Sequence, residues 1–137
     1  MVAPAPVPAP LEERLAILVG GEGAVPRELS QLTVAALERN ARAGLVLDLR
    51  QLSDVTDYFV IVSGDSDVHT RAIAENVLQH TRQHGARPAG VEGQAAGRWI
   101  LIDFINVVLH IFLPAVRDFY QLERLWGDAP QASLEDL

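Results

Sequence analysis

Apolar residues recur along the chain in blocks whose spacing changes, and the changes mark out the elements. Leu29, Leu32, Ala35, Ala36 and Leu37 stand at helical spacing behind Pro26, a residue suited to a first helical turn. A helix is therefore predicted from about residue 26 to 43, stopped by Gly44. Two strands follow, at 45–49 (Leu-Val-Leu-Asp-Leu) and 58–62 (Tyr-Phe-Val-Ile-Val). The second is apolar on both faces, as a central strand covered from both sides requires. Ser66 then offers an N-cap for a long helix with Ile73, Ala74, Val77 and Leu78 on its apolar side, closed by Gly85. A short extended piece at 91–93 precedes two strands, 98–104 and 107–112, joined by a tight connection. Pro114 opens a last helix in which Val116, Phe119, Tyr120, Leu122, Leu125 and Trp126 are expected to pack. The order α-β-β-α-β-β-β-α, without internal repeat, predicts a mixed α/β (α+β) domain: one sheet flanked by helices.

The ends read differently. Four prolines in the first ten residues make a stiff, uncovered leader, and residues 11–19 have the apolar content of a turn or two of helix. Residues 1–25 are assigned to this leader, 26–128 to the folded domain, and 129–137 to an acidic tail expected to be mobile. The leader has neither the basic start nor the apolar run of a secretion signal, and no stretch of about eighteen apolar residues occurs. A cytoplasmic protein without membrane contact is the expectation.

Composition narrows the chemistry. With no cysteine among its 137 residues, the chain has no disulfide, no thiolate ligand and no thiol nucleophile. The formal net charge is −7 and every basic residue is an arginine, scattered rather than clustered. Phosphate-backbone binding needs a basic stripe, so direct nucleic-acid recognition is not expected, whereas an acidic surface favours basic protein partners. No Gly-rich phosphate cradle followed by Lys occurs, and no G-x-S-x-G.

Asp65, Asp67 and Asp103 all fall near strand ends, and three converging carboxylates could hold magnesium for nucleotidyl transfer. Around Ser66, however, the same carboxylates read more simply as helix-start residues that relieve the macrodipole. His80 and His84 share a helix face but lack a third ligand, so solvated side chains outweigh a zinc site, as for His69. His110, alternating with Val108 and Phe112, reads as a hydrogen-bonded sheet histidine before a catalytic base. In the strand 98–104, alternation places Ile100, Ile102 and Phe104 on one face and Trp99, Leu101 and Asp103 on the other. The first set is a core set. The second, apolar but ended by a charge, suits either helix-covered packing or a docking patch for a basic partner.

Several segments in order carry a resemblance. The run 56–64 (Thr-Asp-Tyr-Phe-Val-Ile-Val-Ser-Gly) is similar to the T-D-x-F-V-I-x-S-G motif of the ribosomal silencing factors, also called the Iojap family. Ser66, 71–74 (Arg-Ala-Ile-Ala), 90–93 (Gly-Val-Glu-Gly), 99–104 (Trp-Ile-Leu-Ile-Asp-Phe), 110–112 (His-Ile-Phe) and 117–126 follow in the family's order, so the resemblance spans about residues 26–128. It implies a five-stranded mixed sheet related in fold to the nucleotidyltransferases without their catalytic residues. It also implies a homodimer, not an enzyme and needing no cofactor. Such a factor docks on protein fourteen of the large ribosomal subunit, blocks joining of the small subunit and lowers translation under nutrient limitation. The family's docking region maps onto Trp99, Leu101 and Asp103, with Glu92 as a neighbour, which tilts the reading of that face toward docking. The chain departs from the family where Ile105-Asn106 replaces the usual Gly-Asp. A β-branched residue tolerates positive φ poorly, so the expectation is that Asn106 takes the left-handed conformation and the turn shifts by one residue.

Overall fold

A computed structural model of the chain describes residues 26–136. Its elements are α1 (Arg27–Glu38), β1 (Arg42–Asp48), β2 (Tyr58–Ser63), α2 (Asp67–Gln83), β3 (Gly90–Glu92), β4 (Trp99–Asp103), β5 (Val107–Phe112), α3 (Pro114–Tyr120), α4 (Leu122–Leu125) and β6 (Gln131–Ser133), ending in a 3₁₀ turn, Leu134–Asp136. The leader expected at 1–25, with its helical piece, lies outside the described residues.

The strands form one mixed sheet in the order β3-β4-β5-β2-β1-β6. Only the central pair, β2 and β5, is parallel; the other pairings are antiparallel. Parallel strands need a long crossover, and the chain between β2 and β5 supplies it with α2 and the β3–β4 hairpin. Every residue of β5 is buried, as is all of β2 except the half-buried Phe59, which explains why both read as nearly unbroken apolar runs. One sheet face, carrying Val46, Tyr58, Val60, Val62, Ile100, Ile102, Val107, Leu109 and Ile111, packs under Leu29, Leu32, Ala35 and Ala36 of α1 and Ile73, Ala74 and Val77 of α2. The other face buries Leu47, Leu49, Ile61 and Phe112 beneath Leu122 and Ala129, with Phe59, Trp99, Val116 and Trp126 packed at the margin. Arg117 fastens α3 there. Its Nε donates to Glu123 Oε1 (2.5 Å) and its Nη1 to Ser63 Oγ (2.8 Å).

Local signals decide some boundaries. Ser66 caps α2, its Oγ accepting from the His69 N–H at 3.1 Å, and Gly85 follows the helix at φ +83°. Others differ from expectation. The first helix ends at Glu38, five residues early, because Asn40 turns left-handed (φ 59°). Gly44, read as the helix stop, instead lies inside β1, where a Cβ would stand 2.5 Å from Leu134 Cδ1. The last helix breaks in two at Gln121, which is left-handed (φ 47°). Of its apolar residues, Leu122 is buried but Phe119, Tyr120 and Leu125 are exposed.

Six strands replace the expected five, and the sixth lies in the segment read as a mobile tail. Residues 131–133 pair with Leu45, Val46 and Leu47 of β1, and Ala132 and Leu134 are buried in the helix-side core. Three residues carry too little periodicity to be recognised; their order comes from partners more than eighty positions away in the chain. Leu134→Ala should therefore cost about 2–4 kcal/mol of stability, read from the denaturant midpoint, whereas a mobile tail would tolerate the change without effect.

Candidate functional site

Strand alternation sorts β4 as expected: Ile100 and Ile102 are fully buried, while Trp99, Leu101 and Asp103 are half-buried on the opposite face. In the antiparallel β3–β4 pair Glu92 lies directly across from Leu101, so its side chain shares that face. Glu92, Trp99, Leu101 and Asp103 are thereby brought together at one margin of the sheet. Neither Glu92 nor Asp103 forms an ion pair among the described residues.

Trp99 is held from three sides. Its indole Nε1–H donates to His110 Nδ1 at 3.0 Å. Its ring stacks on Phe112, which is its partner on β5, with centroids 4.8 Å apart and planes at 30°. Tyr120, from the exposed end of α3, leans against it at 5.0 Å. An aromatic ring with fixed χ angles makes contact area without losing rotamer freedom on binding, which suits an anchor. The arrangement also fixes a tautomer: because Nδ1 accepts, the proton of neutral His110 sits on Nε2. That N–H finds no acceptor among the described residues, although the Phe59 ring stands edge-on to the imidazole at 4.6 Å. Of the hydrogen-bonded sheet histidine expected here, one nitrogen is satisfied and the other is not.

Beside this patch a cleft of about 450 Å³ opens between the loop at 53–56 and the β4–β5 turn. Phe59, Leu101, Val108, His110 and Trp126 line it, with Val55 and Ile105 at its lips. The Val55 N–H bonds to Ser53 Oγ (3.1 Å), which shapes the first lip. The second is shaped by Asp103, whose Oδ1 accepts the Ile105 N–H at 2.7 Å. Ile105 itself adopts φ +73° at the centre of a γ-turn closed by Asn106 N–H to Phe104 O (2.9 Å). The expected one-residue shift of the turn does not occur. Asn106 is held instead by its carbonyl, which accepts from the N–H groups of both Asp57 and Tyr58 at 3.0 Å. The cleft was not legible in the sequence, since it joins residues from three separated segments.

The three aspartates do not converge. Asp65 and Asp67 lie beyond the end of β2, at the start of α2, where they pair with Arg42 and Arg71, each at 3.3 Å. Asp103 lies across from Val108, itself beside Phe59 near the start of β2. At about 3.3 Å per residue the two ends are roughly 20 Å apart. Of the helix histidines, His69 braces the start of α2, its Nδ1 accepting from the Asp65 N–H (2.8 Å) and its Nε2 donating to Arg39 O (2.7 Å). His80 and His84 stack on each other at 4.6 Å. Among the described residues no three His, Asp or Glu side chains are grouped to hold a metal ion, and no helix is long and apolar enough to cross a membrane.

Burial pushes the His110 pKa down from the ordinary 6.5 to about 4. The unfolded chain binds a proton there below about pH 6.5 while the fold resists one until about pH 4. Stability from this group is therefore complete above pH 6.5, is lost as the pH falls toward 4, and is level below. The full effect is on the order of 3 kcal/mol. Denaturant titrations of the wild type should show this decline, and His110→Phe should flatten it.

The family profile described as "Ribosomal silencing factor during starvation" matches residues 23–137. The chain is 37% identical over 110 residues to the ribosomal silencing factor RsfS of Bacillus subtilis, covering 80% of this chain and 93% of that one. It is 32% identical over 102 residues to the mouse "Mitochondrial assembly of ribosomal large subunit protein 1", covering 72% of this chain and 45% of the mouse protein. Among solved structures, a Chromobacterium violaceum protein superposes with a TM-score of 0.69 at 36% identity, covering 74% of this chain and 85% of that one. A Bacillus halodurans protein does so with a TM-score of 0.69 at 34% identity, covering 80% and 100%. With a profile spanning the whole described domain and relatives alike in both sequence and fold, the chain belongs to the ribosomal silencing factor family.

Proposed function

We propose that this silencing factor acts in the cytoplasm by docking on a basic protein of the large ribosomal subunit, protein fourteen, and blocking the approach of the small subunit by its bulk. In this reading the protein works as a homodimer, which enlarges the obstruction, and represses translation when nutrients are short. The mechanism is steric and uses no cofactor. The observation that carries it is the shared face of Glu92, Trp99, Leu101 and Asp103. There a clamped, half-exposed indole lies beside two carboxylates that have no cationic partner among the described residues.

Each residue has a distinct part. Trp99 is the apolar anchor, aligned by His110 and Phe112 before any partner arrives. Leu101 extends the apolar area toward the cleft. Asp103 and Glu92 attract and register partner cations, a contribution felt mainly in encounter rate and selectivity. The net charge of −7 acts in the same direction against a basic ribosomal protein. The name of the mouse relative, which refers to the large subunit, supports the choice of subunit.

Co-sedimentation with separated subunits, with joining measured in the same samples, tests the proposal. Wild type should pellet with large subunits and reduce joining. Trp99→Ala should weaken binding by about 2 kcal/mol, roughly thirtyfold, with an unfolding curve that still shows a folded protein. Asp103→Asn keeps an oxygen for the Ile105 N–H and should weaken binding more at low salt than at high. Wild type left in the supernatant at micromolar subunit concentration would sink the docking reading.

A further inference from the structure

Ile105 is an unusual residue for the place it occupies. Its φ of +73° is a conformation that glycine or asparagine adopts readily and a β-branched residue does not. The turn gains nothing from the side chain in exchange, because Ile105 is 62% exposed and belongs to neither buried apolar cluster. Its backbone bonds, from its N–H to Asp103 Oδ1 and from the Asn106 N–H to Phe104 O, would form equally well with glycine. What the side chain does supply is one lip of the cleft. Across the opening stands Val55, also apolar and 84% exposed. Strain kept at an exposed position is a pointer to function, since folding alone would be served better without it.

We infer that the cleft between Val55 and Ile105 receives an apolar side chain projecting from the basic protein surface that Trp99 and Asp103 engage. The inference rests on the docking reading above and specifies what the partner must present. Three features define that occupant. The walls are mainly apolar, built by Val55, Phe59, Leu101, Ile105, Val108 and Trp126 among a few polar residues. Among the described residues no arginine lines the cleft and its one imidazole, His110, is kept neutral by burial, while Asp103 stands at its margin and Asp54 is exposed in the lip loop, so the surface around an entering side chain is matched by cations. Leu101 belongs to both the docking face and the cleft, which makes the two continuous. A pocket of about 450 Å³ has room for one large aliphatic or aromatic side chain, and Trp126 standing edge-on to Phe59 at 6.0 Å gives it an aromatic wall.

The test separates strain from contact. Ile105→Gly and Ile105→Asn both suit positive φ, so each should keep or raise the melting temperature. Both remove the apolar lip, so affinity for purified large subunits should fall about five- to tenfold, as expected when a buried aliphatic contact is lost. Val55→Ser, at the opposite lip and exposed in the free protein, should leave the melting temperature unchanged and weaken binding to a similar degree. A purely structural Ile105 would raise stability on substitution and leave affinity alone. Wild-type affinity in the Ile105 and Val55 variants, with Trp99→Ala still defective, overturns the cleft while leaving the docking face standing. If wild type itself fails to bind large subunits, the docking face and the cleft fall together.

Discussion

The parallel pairing of β2 with β5 is the constraint on which the rest of the molecule depends. Both strands are covered on both sides, and their backbone groups are satisfied by each other and by β1 and β4. A parallel pair cannot be closed by a turn, so the chain must leave the sheet and return. It does so through α2, which covers one face, and through the β3–β4 hairpin, which lies beyond β5 and carries Glu92, Trp99, Leu101 and Asp103. The position of Trp99 is thus a consequence of how the centre of the sheet is connected.

That position gives Trp99 its environment. Because β4 runs antiparallel to β5, Trp99 stands across from Phe112 and two positions diagonally from His110, within reach of its indole N–H. The imidazole is kept neutral by the same burial that makes β5 a core strand. One buried histidine accordingly orients an otherwise half-exposed ring without bringing a charge into the sheet. The cost is an Nε2–H without a partner among the described residues, a tolerable defect where an aromatic ring stands close to the imidazole.

Family membership and local geometry answer different questions. The profile and the relatives define the class of protein and cover the whole described domain. They do not explain why this chain holds an isoleucine at the positive φ of a γ-turn, a conformation that suits glycine. That residue has its meaning only beside Val55 and Trp126, and its strain is visible only in the backbone angle.

The sequence by itself determined the features that depend on neighbours in the chain. These are the helix start at Ser66, the strands at 58–62 and 107–112, and the alternation that separates Ile100 and Ile102 from Trp99, Leu101 and Asp103. Spacing and capping act over a few residues, so a linear reading suffices for them. The tertiary structure alone decided the features whose partners are distant. Residues 131–133 become a strand only because β1 offers them an edge, and Gly44 is needed in β1 because Leu134 packs where its side chain would be. The last helix breaks at Gln121 where Arg117 bonds to both Glu123 and Ser63. Asp65 and Asp67 stand a strand's length from Asp103 because strand direction, which composition does not encode, puts them at opposite ends of the sheet. Ile105 departs from the expected turn for the same reason: Asn106 is fastened through its carbonyl to residues 57 and 58, and the hairpin leaves the positive φ to its neighbour.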